Sequence, residues 1–339
     1  MPRRTAGQVA QNLQHPLNAA PLQAENIPFQ VNGSLLGSRE STYMSSLHSS
    51  ILDYRYENGR RYHAYREGAY PFPNDYEEQD RMDLGHHIYR LLLGGELYLA
   101  PIRDDLKRVL DLGTGTGIWA IDFAEHFPDT EVLGTDLSPI QPLWVPENCI
   151  FEVDDFESDW LFHKPFDFIH ARELGGCISS SRRLFRQALD NLVPGGYFEM
   201  QAVHAEFKSD DNTIDKAEYA LRWMNAIVEG SVKFGKPLNF TPRWKQEMEE
   251  AGFVDVKEKI LKIPIGSWPK DPTLKEIGQV QLIQEAKLIA SYTPGIFSRI
   301  LHWKEAEIQV LMAQVKKELS NPDIHLYVPV YFIWGRKPE

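Results

Sequence analysis

Cysteine is scarce in this chain of 339 residues, which contains only Cys149 and Cys177. The two thiols do not form a C-x-x-C pair, and neither belongs to a cluster with histidines. We therefore expect no disulfide framework, no structural zinc site and no other bound metal. Two ordinary thiols fit a reducing compartment, so we expect a cytoplasmic protein.

The sequence also lacks long hydrophobic runs and an excess of basic residues. Its most apolar window, residues 91–102, contains Glu96 and is far shorter than the roughly 20 residues of a membrane span. The N-terminal arginines are followed by no apolar segment, so we expect no secretory signal. Thirty-six Lys and Arg oppose 48 Asp and Glu, a net charge of −12. This balance disfavours membrane and direct nucleic-acid partners, although it leaves room for a local basic patch.

The chain is organised around residues 109–120, which read VLDLGTGTGIWA. A short apolar run is followed by Gly113, Gly115 and Gly117 at alternate positions, and then by an amphipathic segment over 118–127. This pattern predicts a strand, a tight turn and a helix, with the turn where open α/β sheets bind ligands. Glycines permit positive φ there and bring no Cβ between the backbone and a ligand.

Two phosphate-binding motifs do not match this turn. A dinucleotide fingerprint needs a glycine at position 118, where Ile118 stands, and a P-loop needs a G-K-[ST] ending that is missing. The remaining pattern, D-x-G-x-G-x-G, resembles the first motif of class I S-adenosylmethionine-dependent methyltransferases. Asp111 would place an anion near a cationic amino-acid ligand, which suits that cofactor better than a pyrophosphate. A glycine-rich turn without any ligand is the structural alternative.

A regular alternation of strands and helices follows the turn. Since helix-length crossovers separate the strands, they require a parallel sheet with helices on both faces. The predicted strands are 107–112, 131–135, 149–153, 166–170 and 197–203, then 253–260 and a closing strand 330–335 that Pro329 begins. A further helix is predicted over about 181–192.

Acidic residues stand at the ends of the second and third strands. Asp136, 19 residues past the last glycine of the turn, can accept hydrogen bonds from both ribose hydroxyls. Asp154 or Asp155 can accept from the adenine amino group, with Phe156 or Leu137 against the ring. One such aspartate alone is more often a cap or turn residue, whereas several strand ends in this order favour a cofactor site.

Three segments together resemble one branch of these enzymes, the LaeA-like family. They are GRRYHAY at 59–65, EEQDRMD at 77–83 and the 109–120 stretch, and the resemblance covers about residues 50–336. This fungal group includes a global regulator of secondary metabolism and many small-molecule paralogues. The resemblance assigns to the cofactor site Asp111, Gly113, Thr114, Gly115, Thr116, Gly117, Asp136, Leu137, Asp154, Asp155, Phe156, His170 and Tyr65.

The resemblance also implies a fold and a domain organisation. We expect a Rossmann-like sheet, mostly parallel with an antiparallel last strand, S-adenosylmethionine as cofactor and S-adenosylhomocysteine as product. The predicted divisions are a mobile tail (1–40), a helical N-terminal cap (41–104) and a methyltransferase domain (105–339) with helical insertions at about 204–252 and 273–319. In the cap, Asn74 is predicted as a helix N-cap with Glu77 at N3.

The loop after the fourth strand carries the acid–base candidates. In this superfamily it faces the methyl group, so His170, Arg172 and Glu173 are the predicted catalytic residues. A histidine at a strand end is also a common structural residue, and both roles stay open for His170. Tryptophans of the insertions are candidates for the acceptor pocket or for ordinary packing: Trp223, Trp244, Trp268 and Trp303.

The leading hypothesis is therefore methyl transfer to a small-molecule acceptor of secondary metabolism. The alternative is a regulatory methyltransferase that acts through protein partners, in the nucleus if it controls genes. A protein or histone substrate has no support beyond kinship.

Overall fold

The computed structural model describes residues 54–57, 59–66, 68 and 70–339. The predicted tail, residues 1–40, lies outside the described residues, as do residues 41–53 of the predicted cap.

The described strands and helices are numbered in chain order. The strands are β1 Arg55–Glu57, β2 Arg60–Tyr62, β3 Arg108–Leu112, β4 Glu131–Asp136, β5 Cys149–Val153, β6 Phe166–Arg172, β7 Leu192–Val203, β8 Val254–Pro264 and β9 Tyr327–Arg336. The helices are α1 Tyr76–Leu92, α2 Ile118–His126, α3 Ser181–Asp190, α4 Glu218–Phe234, α5 Thr241–Ala251, α6 Pro272–Gly295 and α7 Glu305–Leu319. A short 3₁₀ turn, Thr213–Lys216, precedes α4, and a π-helical turn, Ile296–Ile300, follows α6.

The main sheet has seven strands in the order β5-β4-β3-β6-β7-β9-β8. Strands β3 to β7 are parallel, and β9 lies antiparallel between β7 and β8. The predicted α/β class, mostly parallel with an antiparallel last strand, is confirmed. The register sets Asp111 of β3 beside Gly134 of β4 and His170 of β6, so the predicted functional strand ends meet at one edge.

Helices cover both faces of the sheet because neighbouring residues of a buried strand point in opposite directions. Val109 faces a cluster with Trp119 of α2, whereas Leu110 faces a cluster with Phe185 of α3. A third cluster joins α1 of the predicted cap to α4, α6 and α7 of the predicted insertions. These late helices therefore build one core with α1.

The predicted cap also contains a small hairpin. β1 and β2 pair antiparallel around a turn that includes Gly59 at φ 74°. Arg60 of this hairpin donates to Asp75 from Nε and Nη2 at 2.6 and 2.8 Å, and to Ser291 of α6 at 3.1 Å. Arg60 of the GRRYHAY segment thus connects the start of α1 to α6 through hydrogen bonds.

The predicted helix cap is wrong by one residue. Asp75, not Asn74, is the N-cap of α1, and its Oδ1 accepts from the Glu78 N–H at 3.1 Å. The backbone of Asp75 is extended, and its carboxylate also binds Arg60, which makes it the stronger acceptor. Asn74 is buried and donates from Nδ2 to Ser138 Oγ at 3.1 Å instead.

The predicted start of the last strand is also wrong, because β9 begins at Tyr327 and contains Pro329. The Pro329 carbonyl accepts from the His204 N–H, just past the end of β7. In an antiparallel strand the N and C=O of one residue point the same way, so the missing N–H costs no bond to β8. Within the described part of the chain, no helix is long and apolar enough to cross a membrane.

Candidate active site

The glycine turn between β3 and α2 requires glycine at all three positions. Gly113, Gly115 and Gly117 have φ values of 62°, 59° and 80°. A Cβ on Gly113 would lie 2.4 Å from Leu174, and one on Gly117 would lie 2.4 Å from Phe151. A Cβ on Gly115 would lie 3.2 Å from the Met82 sulfur. The side chains of Leu174 and Phe151 therefore pack closely against the turn at Gly113 and Gly117.

Asp111 and His170 lie side by side at the start of this turn. Both are buried, and His170 Nδ1 donates to Asp111 Oδ1 at 2.8 Å. The other Asp111 oxygen accepts from Thr114 Oγ1 at 2.6 Å. The His170 ring stacks on Trp119, with centroids 3.7 Å apart and an angle of 5°. Burial lowers the pKa of His170, so its surroundings favour the neutral ring.

Asp136 stands at the end of β4, opposite the glycine turn. Its Oδ2 accepts from the Gly115 N–H and its Oδ1 from the Ser138 N–H, each at 2.9 Å. Burial raises the pKa of Asp136 to about 6, against the effect of these bonds. The two backbone hydrogen bonds thus hold the carboxylate in place, and its protonation can be followed at mildly acidic pH.

A cavity of about 230 Å³ opens over the turn and extends towards α1, α4 and α6. It brings together most of the predicted site: Asp111, Gly113, Thr114, Gly115, Thr116, Asp136, Leu137, Asp155, Phe156, His170, Arg172 and Glu173.

Three predicted cofactor residues do not line this cavity. Gly117 faces Phe151, and Asp154 accepts from the Asp155 N–H at 2.8 Å within its own turn. Tyr65 lies 5.7 Å from the Arg66 guanidinium, as a ring beside a cation. Of the paired aspartates, only Asp155 faces the cavity.

Two charged side chains with different surroundings stand where β6 ends, since Arg172 is its last residue and Glu173 follows it. Arg172 donates to His86 Nδ1 at 2.8 Å and lies 5.1 Å from the Tyr89 ring, and burial lowers its pKa. Glu173 has the left-handed φ of 57° and accepts from the Tyr89 hydroxyl and from the Val203 N–H. Burial and the neighbouring Glu173 carboxylate raise the pKa of Tyr89 well above its usual value.

Sequence reasoning missed the α1 residues of this site. Neither His86 nor Tyr89 was among the predicted site residues, and both line the cavity. In the structure His86 bridges Arg172 and Asp122, whose Oδ2 lies 3.0 Å from His86 Nε2. Their spacing of three residues on one helix was the available signal, because it places both side chains on the same face.

Sequence reasoning also missed a polar group on α6. Gln281, Gln284 and Glu285 are buried and line the cavity. Of the candidate tryptophans, only Trp223 lines it; Trp244, Trp268 and Trp303 do not. The visible signal on α6 was a set of polar residues at helical spacing among apolar ones.

Comparison with known proteins identifies the family. Residues 84–258 match a family model described as a methyltransferase domain, which is more than half of the chain. The chain belongs to the methyltransferase domain family. It is 41% identical over 295 residues to Methyltransferase pytC of Aspergillus terreus, covering 87% of this chain and 91% of that protein.

Two further fungal relatives carry regulatory names or a protein substrate in their names. The chain is 33% identical to Secondary metabolism regulator LAE1 of Cochliobolus heterostrophus, covering 91% of this chain and 99% of that protein. It is also 33% identical to Protein-methionine methyltransferase laeA of Emericella nidulans, covering 89% of this chain and 81% of that protein. The predicted kinship with the LaeA-like family is confirmed.

The enzyme is an S-adenosylmethionine-dependent methyltransferase, and the cavity fits that cofactor. The turn offers backbone without side chains at Gly113 and Gly115, and Asp136 offers a half-buried carboxylate one strand away. Asp155 and Phe156, after the next strand, offer a second carboxylate and an aromatic ring. This order of groups matches an amino acid, a ribose and an adenine.

Proposed function

We propose that this enzyme methylates a small molecule of secondary metabolism that lies in the cavity beside the cofactor. The observation that carries the proposal is the continuity of one cavity, from the glycine turn to a chamber between α1, α4 and α6. The chamber walls include Ile88, Met224, Ile227 and Leu288. Apolar walls with a few polar groups are typical of small-molecule sites.

The residues divide the work of binding the cofactor. Gly115 would give backbone to the amino-acid part, and the Asp136 carboxylate would accept from the ribose hydroxyls in charge-assisted hydrogen bonds. Asp155 would accept from the adenine amino group, while Phe156 and Leu137 would pack against the ring. Asp111 is 3% exposed, whereas Asp136 is only half-buried, so Asp111 would act through the turn, where it accepts from Thr114 and His170.

Methyl transfer needs positioning more than acid–base chemistry. The bound cofactor supplies an electrophilic methyl carbon, and the cavity holds the acceptor atom in line with it, which is worth about 7–11 kcal/mol in well-oriented intramolecular reactions. An acceptor that is protonated needs a base. Glu173 is the candidate base, because the Tyr89 hydroxyl and the Val203 N–H both donate to its Oε1, so that Oε2 can accept a proton.

The test combines labelled cofactor with separate acceptor pools. Purified protein is incubated with methyl-labelled S-adenosylmethionine and either a fungal metabolite extract or a protein fraction. Label in small molecules is the expected result. Label confined to protein, including the enzyme itself, would overturn the small-molecule assignment and leave the methyltransferase class intact.

A regulatory role is the second candidate, favoured by the names of the relatives that are 33% to 34% identical. In that case the enzyme acts through protein partners, in the nucleus, whereas a biosynthetic enzyme works in the cytoplasm. A pull-down with stoichiometric partners and no label in either acceptor pool would favour this alternative.

A further inference from the structure

The chamber beside the cofactor site contains a buried carboxyl group without a counterion. Glu285 of α6 is 4% exposed and lines the cavity. Its Oε2 accepts from Gln281 Nε2 at 2.8 Å, while its other oxygen makes no hydrogen bond with any described residue. The methyl-transfer scheme above gives this group no role.

The charges around Glu285 do not neutralise it. Arg81 of α1 is near enough to lower the pKa of Glu285, but its guanidinium lies 2.7 Å from Glu78, whose carboxylate is fully buried. Glu173, after β6, adds a second negative charge and raises that pKa. Arg172 is turned towards His86. Arg81 already forms a buried ion pair with Glu78, so an ionised Glu285 needs a positive charge from elsewhere.

The walls near this carboxyl favour a cation with an organic body. The aromatic side chains of Tyr70 and Trp223 line the same cavity, and aromatic rings attract organic cations. Tyr292 lines it as well, with its ring stacked on Phe72 and 5.4 Å from the Arg81 guanidinium. Gln284, adjacent in sequence, is 8% exposed, and its buried Oε1 has no hydrogen-bond partner among the described residues. Rotation of the Gln284 side-chain amide would offer its Oε1 as a second acceptor to an N–H group of the ligand that Glu285 binds.

We propose that Glu285 binds a protonated amine on the acceptor, which makes the acceptor a small organic amine with an apolar body. The proposal rests on the proposed function, because it names the chemical class of that acceptor. An ammonium group supplies the charge that the chamber lacks. A neutral hydroxyl would satisfy the free oxygen but would leave an ionised carboxylate uncompensated in apolar surroundings.

Three small probes of similar size test this proposal. Protein saturated with S-adenosylhomocysteine is titrated by calorimetry near neutral pH with phenethylamine, 2-phenylethanol or 3-phenylpropionate. We expect the amine to bind at least about tenfold more tightly than the alcohol, and the carboxylate most weakly, since hydrogen bonds to charged groups exceed neutral ones.

Proton release gives an independent readout of the same contact. Burial raises the pKa of Glu285 to about 7, so part of the free protein carries a proton there at neutral pH. Binding of an ammonium favours the ionised carboxylate and expels that proton. The apparent binding enthalpy of phenethylamine should therefore change between buffers with different ionisation enthalpies, and that of 2-phenylethanol should not.

Matched variants of α6 assign the effect to one residue. Glu285→Gln should abolish both the preference for the amine and the proton release, while Glu276→Gln, an exposed glutamate on the same helix, should change neither. Equal binding of amine and alcohol, no binding of the amine, or an unchanged preference in Glu285→Gln would overturn the proposal. If S-adenosylhomocysteine binds normally in those cases, the proposed function stands; if it fails to bind, the proposed function falls first.

Discussion

Asp111 and His170 are register partners on adjacent parallel strands, and their side chains share a hydrogen bond of 2.8 Å. This pair joins the residue that begins the glycine turn to the residue that begins the loop with Arg172 and Glu173. With the His170 ring also stacked on Trp119, the contact fixes the two halves of the site relative to each other. We therefore propose that His170 is a positioning residue in this fold.

His170→Phe should destabilise the protein and spare the acid–base behaviour of the reaction. The substitution keeps an aromatic ring for Trp119 but leaves Asp111 with one fewer donor, a loss of about 1–3 kcal/mol in the free energy of unfolding. Urea unfolding checks the stability, and the pH dependence of kcat checks the chemistry.

Glu173→Gln supplies the contrast for this experiment. If Glu173 takes the acceptor's proton, its loss should lower kcat by about 10² or more without weakening cofactor binding. A His170→Phe variant that stays fully stable but loses one limb of the pH profile would contradict the positioning role.

Gly115→Val should abolish binding of S-adenosylhomocysteine. The branched side chain would occupy the cavity beside Met82, and the residue must keep a φ of 59°. Calorimetry measures the affinity, and circular dichroism confirms that the variant is folded.

Gly94→Val is the matched control for that substitution. Gly94 also has a positive φ, 67°, but a Cβ there would meet no atom of the described residues within 4 Å. Backbone strain of about 1–3 kcal/mol is common to both variants, whereas only Gly115→Val should lose the ligand. Unchanged affinity in Gly115→Val would place the cofactor elsewhere.

Cofactor affinity should fall in acid because of Asp136. In the proposed site the ribose hydroxyls would donate to the ionised carboxylate, and burial raises the pKa of Asp136 to about 6 in the free protein. Below that pH a proton competes with the ligand, so the affinity for S-adenosylhomocysteine should drop by up to about tenfold per pH unit.

Two aspartate variants locate this effect. Asp136→Asn should bind S-adenosylhomocysteine weakly at every pH. Its affinity should not fall further in acid, because no proton competes with the ligand at that position. Asp154→Asn, next to the cavity but not lining it, should reproduce the wild-type profile. An acid limb that survives in Asp136→Asn would point to another titrating group.

The stability of the free protein should fall between mildly acidic and neutral pH because of Glu285. Its pKa is raised from 4.5 to about 7, so the folded state holds the proton more tightly than the unfolded state. The resulting stabilisation is complete below the unfolded pKa and is lost as the pH rises through the folded one, at most about 3 kcal/mol. Denaturant unfolding as a function of pH measures the slope.

Glu285→Gln should flatten this part of the stability profile, and Glu276→Gln should leave it as steep as in the wild type. Glu199, another buried carboxyl, has its pKa raised to about 7 and contributes a similar slope in all three proteins. A profile that is equally steep in Glu285→Gln would mean that Glu285 is ionised in the fold throughout this range.

The part of the site that the sequence predicted depends on local sequence patterns. The glycine turn follows β3, and Asp136 and residues 170–173 stand at the ends of β4 and β6; the alternation of apolar segments locates these strands to within a few residues. In a parallel sheet such strand ends meet at one edge, so local assignment is enough to bring them together. The sequence did not decide which of Asp154 and Asp155 faces the cavity, because that depends on the conformation of a single turn.

The part that the sequence did not predict depends on packing between distant elements. Glu285 and His86 sit on long helices whose patterns predict only buried and exposed faces. Their roles appear when α1 packs against α6 and the end of β6, which no local spacing encodes. The N-cap shift to Asp75 has a similar origin, because Arg60 of the β2 strand selects the carboxylate.

The most direct measurement is a crystal structure of the protein with S-adenosylhomocysteine. The account predicts the ligand over the Gly113–Gly117 turn, with its ribose hydroxyls on Asp136 and its adenine between Leu137 and Phe156. A ligand bound away from this turn, or a crevice that stays empty when the ligand is saturating in solution, would contradict it.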